Sequence, residues 1–123
     1  MTTIVRNIWV AIALAAAVLA PATIFPTAFV QAAETEVNID QFTFYPQRIT
    51  VKAGTTVTWS NEDDVPHTVA SSGKVFKSKA LDTADKFSFT FTTPGTYDYF
   101  CSLHPHMTGA VVVEAASGSN AAQ

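Results

Sequence analysis

Lys86-Phe87-Ser88-Phe89-Thr90-Phe91-Thr92-Thr93-Pro94-Gly95-Thr96-Tyr97-Asp98-Tyr99-Phe100-Cys101 decides the fold of this chain. From Lys86 to Thr92 every second residue is a phenylalanine, so Phe87, Phe89 and Phe91 share one face of an extended strand. Pro94-Gly95 then supplies a turn in which proline leads and glycine accepts a positive φ. Alternation resumes from Thr96 to Cys101, with Tyr97, Tyr99 and Cys101 opposed to Asp98 and Phe100. Each amphipathic strand leaves an apolar face that a facing sheet must cover.

The rest of the chain carries further short strands. Val37 to Phe44 carries apolar residues at Val37, Ile39, Phe42 and Phe44, and the change of parity near Gln41 predicts a bulge or bend. Ile49 to Lys52 and Thr55 to Ser60 flank Ala53-Gly54, a turn signal. His67 to Ala70 and Val75 to Lys79 are shorter candidates, and Ala110 to Glu114 closes the series. No segment of helical period follows residue 32. Seven or eight short strands at this spacing predict an all-β, Greek-key β-sandwich.

Residues 1–32 read as a secretory signal peptide. Arg6 provides the positive start, Ile8 to Ala20 the apolar stretch, and Val30-Gln31-Ala32 a small-residue cleavage site. Retention as an anchor is the competing reading, because Ile8 to Val30 could nearly span a bilayer, although Pro21 and Pro26 interrupt it. The absence of an Arg-Arg pair before the apolar stretch argues against the twin-arginine route. Residues 33–114 form one domain, and 115–123, small and polar, a flexible tail. Beyond residue 32 stand six basic residues against ten acidic ones, a net of −4. Such a balance lacks the basic stripe of a nucleic-acid-binding protein.

The chain has a single cysteine, Cys101, and only one methionine besides the initiator, Met107. Both fall in Cys101-Ser102-Leu103-His104-Pro105-His106-Met107, where thiolate, imidazole and thioether recur at three-residue intervals. One cysteine forms no internal disulfide, and small exported domains commonly need a disulfide or a metal. With His67 arriving from a separate loop, the set becomes His67, Cys101, His104 and Met107. Two imidazoles, a thiolate and a weak axial thioether are the donors of a mononuclear blue-copper electron-transfer site, which accommodates both Cu(I) and Cu(II). His106 reads as surface, since its neighbours His104 and Met107 turn inward. Lys74, Lys77 and Lys79 read as a solvated face, as do Glu62, Asp63 and Asp64. A copper-handling protein, carrier or buffer, is the alternative from another class, and nothing in the pattern suggests an enzyme.

At these residues the chain resembles the cupredoxins, and most nearly their amicyanin-like, short-loop form. The resemblance runs from about Val37 to Glu114. It is carried by the C-x-x-H-x-x-M loop, by Trp59-Ser60-Asn61-Glu62-Asp63 with Pro66-His67-Thr68-Val69, by Pro94-Gly95-Thr96-Tyr97, and by Met107-Thr108-Gly109. Leu103 and His106 depart from it, standing where amicyanins have proline and phenylalanine. The resemblance implies that His67, Cys101 and His104 are equatorial copper ligands and Met107 the axial one. It also implies that the Asn61 amide ties the His67 loop to the backbone near Ser102. Electrons would pass through His104, within an apolar ring of Leu103, Pro105, Val65 and Pro66 where redox protein partners dock. A periplasmic monomer is the expected form.

Overall fold

The computed structural model describes residues 15–24 and 33–116. The expected signal peptide (1–32) and tail (115–123) therefore fall largely outside the described residues. Eight strands follow in order: β1 (Glu34–Asp40), β2 (Thr43–Tyr45), β3 (Arg48–Lys52), β4 (Thr55–Asn61), β5 (Ala70–Ser71), β6 (Lys86–Phe91), β7 (Gly95–Phe100) and β8 (Thr108–Glu114). They build two four-stranded sheets, ordered β2-β1-β4-β6 and β3-β8-β7-β5. Among the described residues there is no helix, and none long and apolar enough to cross a membrane.

The connectivity explains the sandwich. Apart from β1–β2 and β7–β8, each step between successive strands crosses from one sheet to the other. Strands distant in sequence consequently pair side by side: β1 runs parallel to β4 with Val37 opposite Trp59, and β3 parallel to β8 with Val51 opposite Val113. The expected Greek-key sandwich is the observed one. Gly95 has the positive φ anticipated for it (153°), and Gly54, in the expected turn at Ala53-Gly54, also has one (97°).

Alternation on the strands fills the space between the sheets. Val37, Ile39, Val57, Trp59, Phe91, Tyr99, Val111 and Val113 are buried there together. Trp59 anchors an aromatic cluster, its ring centroid 5.7 Å from Phe76, 5.8 Å from Phe87 and 5.4 Å from Tyr99. Each such pair contributes about 0.5–1.5 kcal/mol beyond its area burial. Cys101 and Met107 belong to the same buried cluster. The candidate site is therefore one end of the core, not an addition to the surface.

Three expectations about strands need correction, the first being His67 to Ala70, of which only Ala70 lies in a strand, β5. Val37 to Phe44 is not one strand: the bulge or bend expected near Gln41 is a full reversal at Gln41 and Phe42, and β2 returns antiparallel along β1 with Ile39 opposite Phe44. The parity change recorded that reversal, since a turn of two residues swaps which face the next residues meet. Val75 to Lys79 is likewise no strand, and only Lys77 forms a bridge, to Ala70. Ser78 breaks the run instead, turning its hydroxyl inward to receive the Val69 N–H at 2.8 Å and to donate to Lys79 O at 2.7 Å.

Candidate metal centre

Two segments bring the donors together. The β7–β8 pairing ends at Phe100 opposite Thr108, which leaves residues 101–107 as a closed loop. Within it Cys101 N–H donates to Met107 O at 3.1 Å and Met107 N–H to His104 O at 2.9 Å. These two bonds curl the loop on itself, so Cys101, His104 and Met107 are neighbours in space. His67 comes from the β4–β5 connection, fixed by reciprocal backbone bonds with Leu81 (3.1 and 2.7 Å). Cys101 and His67 are fully buried and Met107 nearly so, whereas His104 is only half-buried.

Cys101 Sγ lies 3.8 Å from His67 Nδ1 and 3.6 Å from His104 Nδ1. The three donor atoms all fall within 4.8 Å of one another. For a first-row ion with metal–nitrogen and metal–sulfur bonds of about 2.0–2.1 and 2.3 Å, a trigonal arrangement would separate sulfur from nitrogen by about 3.8 Å. Both observed sulfur–nitrogen separations have that size, so the donor set fits a single copper ion. Its chemistry agrees, since soft sulfur with imidazole selects copper over hard, oxygen-seeking cations.

Neighbouring groups orient each donor. His67 Nε2 lies 2.7 Å from Asp63 Oδ2. With the ring proton donated to that carboxylate, the lone pair remains on Nδ1, the nitrogen facing the sulfur. Asp63 also accepts the backbone N–H groups of Gln41 (2.7 Å, Oδ1) and Phe42 (3.0 Å, Oδ2). Burial pushes the Asp63 carboxyl up, but the hydrogen bonds from Phe42 and Gln41 and the contact with His67 outweigh it and hold the group below the ordinary aspartate range. Asp63 is thus a buried member of the site and not part of a solvated acidic face. Glu62 and Asp64 on either side remain exposed. A run of three acids does not reveal which one turns inward; the four-residue spacing from Asp63 to His67 was the available signal.

Asn61 is fully buried and braces the His67 loop, though not in the way anticipated. Its Nδ2 donates to Val65 O and Leu81 O, each at 2.9 Å, and its Oδ1 accepts the Asp63 N–H at 3.1 Å. The tie to Ser102 belongs to Thr68, whose Oγ1 accepts the Ser102 N–H at 2.7 Å. Thr68 also points its own N–H at Cys101 Sγ from 3.4 Å. An N–H directed at a thiolate withdraws electron density from it and is one means of tuning such a site. Sequence reasoning passed over Thr68 because its hydroxyl acts across 34 residues of chain.

His106 is exposed, as expected, and so are Lys74, Lys77 and Lys79. Leu103 and Pro105, the chain neighbours of half-buried His104, are exposed, as is Pro66 beside His67, and Val65 is half-buried. Phe42, 46% exposed, joins them, its ring edge-on to His104 with centroids 5.0 Å apart.

A two-sheet sandwich with a cysteine, two histidines and a methionine gathered at one end defines a blue-copper electron-transfer protein, and the family comparison agrees. The model of the cupredoxin-like domain matches residues 9–113, and the chain belongs to that family. Among curated proteins it is similar to amicyanin-alpha of Methylorubrum extorquens, 42% identical over 88 residues that cover 68% of this chain and 74% of the relative. It is 41% identical to amicyanin of Paracoccus denitrificans over 83 residues, spanning 63% of each. A solved structure of the Cu(I) form of an amicyanin variant superposes with a TM-score of 0.63 at 38% identity, covering 73% of this chain and 90% of that one.

Proposed function

We propose that the protein shuttles single electrons between exported redox proteins, with His67, Cys101 and His104 as equatorial ligands and Met107 as axial ligand of one copper ion. The convergence of three donor atoms from two loops, at the spacing a trigonal site needs, carries this reading. Copper when bound supplies a one-electron couple between Cu(I) and Cu(II). The chain supplies rigidity: Cys101 and His67 are locked in the core, and Asn61, Asp63 and Thr68 fix the loops that hold them. A preorganised donor set lets both oxidation states share one geometry, which keeps reorganisation small.

His104, the least buried donor, is the proposed electron port. The exposed ring of Leu103, Pro105, Pro66 and Phe42 offers an apolar surface on which a partner can dock briefly. Rim charges such as Glu62 and Asp64 would mainly set association rates. Burial of the thiolate favours the electron carrier over the copper-handling alternative, because an ion to be handed over needs ligands that open readily. The apolar stretch preceding the domain supports export to the periplasm, and action as a monomer is part of the proposal.

Cyclic voltammetry of the copper-loaded protein together with a copper assay tests it. Reversible oxidation and reduction with one copper retained per chain is the expected result. A colourless protein that holds only Cu(I) and releases it on oxidation would instead establish copper handling.

A further inference from the structure

The turn between β1 and β2 reaches the donor cluster although no ligand lies on it. Gln41 (φ 49°) and Phe42 (φ 56°) both adopt the left-handed conformation. Neither is glycine, asparagine or aspartate, so the turn is strained and something outside it must hold it. Asp63 does so by accepting both backbone N–H groups while its Oδ2 also meets His67 Nε2. The turn thus held places the Phe42 ring edge-on to His67 (centroids 5.4 Å, interplanar 89°) and to His104 (5.0 Å, 88°). One carboxylate therefore joins a donor imidazole to the backbone of the residue whose ring covers both imidazoles.

We propose that Asp63 and Phe42 form a clamp over the two histidines that restrains His104 and limits how fast the metal exchanges. Asp63 is the positioning residue and Phe42 the cover. This proposal rests on the copper reading above. Both equatorial histidines must keep their rings fixed for the ion to stay, and half-buried His104 is less enclosed than fully buried His67. An aromatic edge about 5 Å from the His104 centroid restrains that ring and keeps water from the nitrogen behind it. Aspartate suits the clamp because a carboxylate accepts three hydrogen bonds at once, whereas an asparagine amide cannot replace it in all three.

Three variants test the clamp: Phe42→Ala, Asp63→Asn and the double change. Capture of Cu(I) by the chelator bicinchoninate, followed by stopped flow, should run about 10-fold faster in each single variant, the lower end of the effect of partners one shell beyond the ligands. The double variant should be no faster than about the quicker single one, since both changes disable the same device. In the apoprotein, Phe42→Ala should move the His104 ring proton resonances through loss of the neighbouring ring current, while the melting temperature of this half-exposed position stays close to that of the parent. Capture at the parental rate in Phe42→Ala, or single effects that multiply in the double variant, would overturn the clamp. Failure of the parent protein to bind copper would instead overturn the reading on which it rests.

Discussion

Replacing Asn61 with alanine removes three hydrogen bonds from a fully buried side chain: two from Nδ2, to Val65 O and Leu81 O, and one to Oδ1, from Asp63 N–H. Leu81 O keeps a second donor, the His67 N–H at 3.1 Å, so its loss is partial. Among the described residues Val65 O and the Asp63 N–H have no such substitute and are left short of a partner. At about 0.5–1.5 kcal/mol per net hydrogen bond, and more where a buried group is orphaned, the change should cost about 2–4 kcal/mol. A domain of this size loses about 4–8 °C of melting temperature per kcal/mol, which predicts a fall of at least about 8 °C. Differential scanning calorimetry of the apoprotein measures this without any contribution from metal. Asn61→Asp is the companion variant. It keeps an acceptor for Asp63 N–H but sets a carboxylate against two carbonyl oxygens, so it should be at least as unstable. An Asn61→Ala apoprotein melting within about 2 °C of the parent would refute the bracing role, as the discrepancy would exceed any error in the per-bond estimate.

Other consequences follow from the same packing. At Gly109 a Cβ would run into the Tyr99 ring, which is locked in the core, so Gly109→Ala should destabilise the apoprotein by about 1–3 kcal/mol in urea titration. Burial pushes the Tyr99 phenol up to about 12; the nearby Trp59 N–H offsets this slightly without forming a well-aligned hydrogen bond. Because the unfolded chain releases that proton near pH 10, the folded state should be unaffected below that pH and lose about 2–3 kcal/mol as pH rises from about 10 to 12. Tyr99→Phe, compared with the parent by chemical denaturation across that range, should abolish this part of the alkaline loss. Met107→Gln should keep one bound copper and lower its reduction potential, since an amide oxygen favours Cu(I) less than a thioether does; an unchanged potential in voltammetry would remove Met107 from the ligand set.

The sandwich was legible because two-residue alternation is a local property. Phe87, Phe89 and Phe91, or Tyr97, Tyr99 and Cys101, declare their shared face whatever lies opposite. The ligands were legible because the loop compresses Cys101, His104 and Met107 into seven residues, and the chain has no other cysteine and no other methionine besides the initiator. What escaped depends on contacts across the chain. Asp63 meets Gln41 and Phe42 from about twenty residues away, and Thr68 meets Ser102 from 34. Nothing in a run of acids or an isolated threonine marks those partners. The β1–β2 turn showed only as a bulge or bend for a related reason, since Gln41 and Phe42 are not turn residues by preference, and Asp63 holds them in a conformation their own chemistry disfavours.

The central claim is that Cys101 binds copper as a thiolate beside two imidazoles. Adding one equivalent of Cu(II) to the apoprotein and recording visible absorption and electron paramagnetic resonance, for the parent and for Cys101→Ala, tests it directly. The parent should develop intense thiolate-to-copper absorption with a narrow copper hyperfine splitting. Cys101→Ala should give only the faint absorption and wide splitting of copper held by nitrogen and oxygen. Equal spectra from the two proteins, or a parent that stays colourless with Cu(II) bound, would contradict the account.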